Sequence, residues 1–151
     1  MIFLTALNWF TSKKEYLENA VGSTDDPDEI ERRKKLASKF WNSIDMNDVW
    51  MVLIMVTITF AICYAYFIPF NNRPGRHYLP SYCALFGICS ILLSFGATLL
   101  YCSLIVKLSY DTSFVMKVAA INATYSLLLY LILSFIFCNY SNTNAYRWFK
   151  I

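Results

Sequence analysis

Three uncharged apolar runs, Val49–Phe70, Tyr82–Val106 and Val118–Cys138, leave this chain few ways to fold. Each has at least 21 residues and contains no Asp, Glu, Lys, Arg or His. A helix rising 1.5 Å per residue needs roughly 20 residues to cross a hydrocarbon core about 30 Å thick. In that medium the backbone must satisfy its own hydrogen bonds, which a helix does within one segment. The expected fold is an all-α integral membrane protein with three transmembrane helices, at 49–70, 82–106 and 114–138. A cytoplasmic basic amphipathic helix is expected to precede them. Composition agrees: 58% hydrophobic and 15% charged residues exclude an ordinary soluble domain, for which about 25% charged is usual.

Residues 1–48 form the expected cytoplasmic or interfacial segment. Met1–Phe10, with Ile2, Phe3, Leu4, Leu7, Trp9 and Phe10 ahead of Lys13 and Lys14, suits a surface helix within residues 1–20. It lacks the basic start and small-residue cleavage site of a secretory signal. After the linker Ser23–Asp26, the stretch Asp26-Pro27-Asp28-Glu29 is a helix start: a capping carboxylate, proline at the first helical position, and acids against the dipole. The helix is expected over 27–44, with Asp45–Asp48 breaking it before the first span. Leu36, Phe40 and Ile44 recur every four residues with Ala37 and Trp41 beside them, while Arg32, Arg33, Lys34, Lys35 and Lys39 fill the other face. Contact of these cations with anionic headgroups, at roughly 1 kcal/mol each, is one reading of that face. Docking of a cytoplasmic partner through residues 1–44, with Phe40 and Trp41 as anchors, is the other.

The loop Asn71–Ser81 carries Arg73, Pro74, Gly75, Arg76, His77 and Pro80 and suits a tight crossing between antiparallel helices. Lys107–Ser113 is short enough to make the second and third spans neighbours as well. Residues 139–151 are expected to lie along the interface. With the N-terminus inside, Lys13, Lys14, Arg32, Arg33, Lys34, Lys35, Lys39, Lys107 and Lys117 are cytoplasmic, against Arg73, Arg76, Arg147 and Lys150 outside. Nine against four favours a cytoplasmic N-terminus and an external C-terminus, and a bacterial inner membrane is the expected location.

Polar and small residues inside the spans are the candidate functional set. Gly87, Ser90, Ser94 and Gly96 in the second span, and Asn122, Thr124 and Ser126 in the third, permit close helix packing or could line a pore. Asn122 is the most polar of them, and an amide in hydrocarbon must find a partner. Cys83 and Cys138 fall near the same membrane face, which permits a disulfide, although small apolar packing is the ordinary role of all five cysteines.

Chemistry has little to stand on. Asn72 and His77 have a spacing that resembles the catalytic pair of HEPN-type ribonucleases. That family carries the pair on a helix and this one falls in a Pro-Gly loop, so no nuclease is read from it. One histidine and scattered cysteines give no metal-ligand spacing, and the spans hold no carboxylate for a proton or cation relay. No enzyme, cofactor or nucleic-acid partner is expected. The expected function is an oligomeric structural or anchoring subunit of a membrane assembly, self-associating or joining other membrane subunits and docking a cytoplasmic partner. The alternative is a homo-oligomeric channel or membrane-permeabilising pore.

Overall fold

The computed structural model describes residues 12–22, 26–73, 80–104 and 112–138. Four helices account for almost all of them: α1 (Lys13–Val21), α2 (Pro27–Ala65), α3 (Pro80–Leu104) and α4 (Thr112–Phe137). There is no strand among the described residues. Met1–Phe10 of the expected surface helix, most of the linker, Arg76 and His77 of the first loop, Lys107, and the tail 139–151 lie outside the described residues.

α1 begins on the Ser12 hydroxyl, which accepts the Glu15 amide at 3.2 Å, with the Glu15 carboxylate inside the first turn. Gly22 ends it at φ 64°, a conformation that side-chain-bearing residues rarely adopt, and so turns the chain toward α2. α1 then runs antiparallel along the first part of α2. Lys13 Nζ donates to Asn42 Oδ1 at 3.0 Å at one end, and Arg33 Nη1 donates to the Val21 carbonyl at 3.4 Å at the other. Arg33 is itself held by Glu29, Nη2 to Oε1 at 2.6 Å.

α2 starts as its sequence dictates, with Asp26 accepting the Asp28 amide at 3.1 Å and Pro27 in the first turn. It does not stop at Asp45–Asp48. The expected break is corrected to one helix running from Pro27 to Ala65. Asp and Asn cost a helix only a few tenths of a kcal/mol relative to better formers, and no Gly or Pro stands between Pro27 and Pro69. Packing decides the matter, because Ala37, Phe40, Trp41, Ile44, Asp48, Met51, Met55, Thr59 and Cys63 form one buried stripe at three- and four-residue spacing. Asn47 is tied in as well: its amide donates to the Ser43 carbonyl at 2.8 Å, and its Oδ1 accepts from Tyr101 of α3 at 2.9 Å. The helix ends where expected. Pro69 lacks an amide and crowds the carbonyl four residues back, so Tyr66–Phe70 widens into a π-helical turn closed by Asn71 N to Tyr66 O at 3.0 Å.

α2 with its π-helical turn, α3 and α4 are each long and apolar enough to cross a membrane, and they pack mutually as a three-helix bundle. Their outward faces carry an apolar belt, from Met46 to Tyr64, Tyr82 to Leu104, and Met116 to Ile136. At 1.5 Å per residue these belts are about 27, 33 and 30 Å tall, close to the thickness of a hydrocarbon core.

Candidate functional site

The candidate polar residues converge on a layer of four hydroxyls at the centre of the bundle. Thr59 of α2, Ser90 and Ser94 of α3 and Ser126 of α4 are all buried there. Thr59 donates to the Met55 carbonyl one turn back at 2.8 Å, so in its 3.0 Å contact with Ser126 it accepts. Ser90 donates to Thr59 at 3.3 Å and lies 2.9 Å from the Ser126 hydroxyl, and Ser94 donates to Ser126 at 3.0 Å. Ser126 is thus within hydrogen-bond distance of three hydroxyls, which ties three helices to one oxygen.

Two further layers flank this one. Toward the N-terminal side of α2, Thr98 donates to the Ser94 carbonyl at 2.8 Å and receives the Asn122 amide, fixing α3 to α4. Asn122 Oδ1 is buried and has no hydrogen-bond partner among the described residues. On the other side Cys63 Sγ contacts the Tyr130 carbonyl at 3.8 Å, and the Tyr130 hydroxyl donates to the Cys83 carbonyl at 2.9 Å. Gly87 lies under the Tyr130 ring, where a Cβ would come within 3.1 Å of Cε1. Gly96 meets nothing within 4 Å and is partly exposed. Thr124 is exposed and folds back on its own helix, donating to the Ala120 carbonyl at 3.0 Å. The seven span residues thus divide: Gly87, Ser90, Ser94, Asn122 and Ser126 point into their own bundle, while Gly96 and Thr124 do not.

The two glycines give a direct comparison. Gly96→Ala is expected to raise stability by about 0.5–1 kcal/mol through helix propensity, since the new methyl meets open space. Gly87→Ala is expected to lower it, because the Tyr130 ring is buried and pinned at its hydroxyl and cannot move aside freely. Thermal melts of the two variants in one detergent check the opposite signs.

Aromatic clusters close both ends of the bundle. Tyr16 of α1 packs tilted against Phe114 of α4 at 4.7 Å between ring centroids, with Trp41 and Phe40 of α2 at 5.3 and 5.7 Å from the same ring. Phe40 and Trp41 are only 5% and 4% exposed, so they are not available as docking anchors on the surface of the N-terminal segment. Arg32, Lys34, Lys35 and Lys39 are exposed, and Arg33 is half-buried against Glu29. At the opposite end Tyr66, Phe67 and Cys138 form a second cluster with Phe70, Cys83 and Phe86 packed on it. Cys83 and Cys138 share that cluster as free thiols rather than as a disulfide. Cys83 Sγ lies 3.7 Å from the Tyr130 hydroxyl, and Cys138 Sγ lies 3.0 Å from the Phe135 carbonyl.

Thr59, Cys63 and Tyr130 were not singled out by sequence reasoning. The usable signal was Asn122, Ser126, Tyr130 and Ser134 recurring every four residues, one polar-capable row on one helix face. Among the described residues no group of three His, Cys, Asp or Glu side chains is placed to hold a metal ion. Compared with known proteins, the chain matches no family model, no curated protein and no solved structure.

Proposed function

We propose that the protein is a structural subunit of a membrane assembly, with three spans that anchor it and an N-terminal helical hairpin that holds a partner on the cytoplasmic side. The continuity of α2 carries this reading. With its π-helical turn it spans 44 residues, or about 66 Å, of which a hydrocarbon core takes about 30 Å. The remainder stands out of the bilayer as a rigid post, braced by α1 and by Phe114. A post without a hinge fixes the distance and direction of whatever it holds, which is what an anchoring subunit requires.

The pore reading has less behind it. Four of its candidate lining residues, Ser90, Ser94, Asn122 and Ser126, are buried within a single chain. Turning them to a lumen would require breaking the hydroxyl layer first. Nine of the thirteen Lys and Arg residues fall on the same side of the spans as the N-terminus, which favours a cytoplasmic N-terminus, in a bacterial inner membrane.

The test is extraction of the full chain in mild detergent, with the particle mass measured and every accompanying chain identified. Other subunits in fixed ratio, lost from a truncation lacking residues 1–44 whose spans stay folded, are the expected outcome. A monomer with nothing bound, or a ring of identical copies, would overturn the proposal.

A further inference from the structure

The outer face of the N-terminal hairpin carries an open groove of about 730 Å³ between α1 and α2. Leu17 of α1 contributes to its apolar lining, and Lys34, Lys35 and Lys39 of α2 line it together with Glu31 and Asn42. Lys13 adds a fourth ammonium at its edge, bonded to Asn42. Four cations face one carboxylate. Elsewhere on the hairpin Arg33 is paired with Glu29 and Lys14 with Glu18, and Arg32 is exposed. Among the described residues no carboxylate is paired with Lys34, Lys35 or Lys39.

Height above the membrane separates the two anionic surfaces that could answer this charge. The continuous apolar belt on α2 ends at Met46, which also lines the lower end of the groove, and beyond it Leu36 is the one exposed large hydrophobic among the described residues of α2. Along a straight helix Lys39 stands about 10 Å beyond Met46, and Lys35 and Lys34 about 16 and 18 Å. The headgroup layer adds only about 5–7 Å to the hydrocarbon on each side, and at physiological salt a surface potential decays over about 8 Å. Had the helix broken at Asp45–Asp48 it could have lain flat with its lysines among the phosphates, but the continuous stripe from Ala37 to Cys63 holds it upright.

We infer that this groove docks an acidic amphipathic segment of a cytoplasmic protein, its carboxylates on Lys34, Lys35 and Lys39 and its apolar edge on Leu17. The inference rests on the anchoring function proposed above and names the chemistry of the partner. Such a segment neutralises the three ammonium groups and covers the apolar lining, whereas a lipid surface lies about 9–11 Å from the backbone at Lys35 and Lys34 once the headgroup layer is counted.

The experiment places the full chain in phosphatidylcholine nanodiscs. It titrates a fluorescein-labelled helical peptide with glutamates along one edge and leucines along the other, with a lysine-for-glutamate peptide as control. Saturable binding of the acidic peptide alone is expected, weakened at least tenfold by K34E/K35E/K39E and by raised salt, and unchanged by K117E. No binding, or binding indifferent to the triple reversal, would overturn the inference. So would amide shifts at residues 31–42 on adding phosphatidylserine to the nanodisc but none on adding peptide, since that assigns the groove to lipid. Should fixed-ratio subunits remain bound to the triple variant yet leave the 1–44 truncation, the groove falls and the anchoring function stands. If no subunit ever accompanies the full chain, the anchoring function fails whatever the peptide does.

Discussion

Replacing Phe114 by alanine is expected to cost about 3–5 kcal/mol, the range for emptying a buried phenylalanine site. Phe114 is 3% exposed and is the α4 ring that contacts Tyr16, Phe40 and Trp41 together. Tyr16 belongs to α1 and Phe40 and Trp41 to the first part of α2, so the cavity opens where the hairpin meets α4, and the loss is greatest there. Hydrogen exchange at Lys13–Val21 should accelerate strongly, while amides beside Thr59 and Ser126 keep their protection. Unchanged exchange in α1 would mean that the hairpin stands without α4. It would also remove the brace on which the rigid post depends.

Ser126→Ala is expected to cost about 2 kcal/mol. Three hydrogen bonds end on that one oxygen, and interhelical bonds in membrane proteins average about 0.6 kcal/mol each. Ser126→Val should cost more, since its added methyl groups enter a buried site where three hydroxyl oxygens already lie within 3.0 Å of the Ser126 oxygen, and force the helices apart. Thr124→Ala, two residues away on the exposed face, should change stability by less than about 0.5 kcal/mol. Reversible unfolding of the three variants in detergent measures the differences. In a double-mutant cycle, Ser90→Ala on top of Ser126→Ala should cost less than it does alone, because its nearest hydroxyl partner has already gone. Additive costs would show that the two hydroxyls do not share a bond.

The spans were legible because hydrocarbon is an unforgiving solvent: long charge-free runs at 49–70, 82–106 and 118–138 admit little but helices, and α2 with its turn, α3 and α4 take up 49–70, 82–104 and 118–137 of them, with 105 and 106 outside the described residues. The start of α2 was legible for an equally local reason. Asp26 and Pro27 act on the amides next to them, and nothing distant alters that. The exit was legible too, since a proline at position 69 takes away a donor wherever the chain later goes.

Other features depend on residues far apart in the chain. Asp45–Asp48 reads as a break because its composition is that of a turn, yet Tyr101, 54 residues from Asn47, supplies a partner that helps keep it helical. Phe40 and Trp41 read as docking anchors because one amphipathic face does not announce what will cover it; Tyr16 and Phe114 do so. Ser90, Ser94, Asn122 and Ser126 read equally well as pore lining or helix packing. Spacing along a helix gives the face on which a residue lies but not what that face meets.

The sequence by itself determined that three apolar helices form, that a helix starts at Pro27 and the first span ends at Pro69, and that seven of the thirteen Lys and Arg residues precede that span. These follow from the solvent each segment can tolerate and from caps that act over a few residues. Only the tertiary structure decided that the first helix runs unbroken out of the bundle and that four hydroxyls from three helices meet at Ser126. It also decided that the lysines stand clear of the apolar belt. Each of these depends on which faces touch, and that is settled by packing among segments that are far apart in the chain.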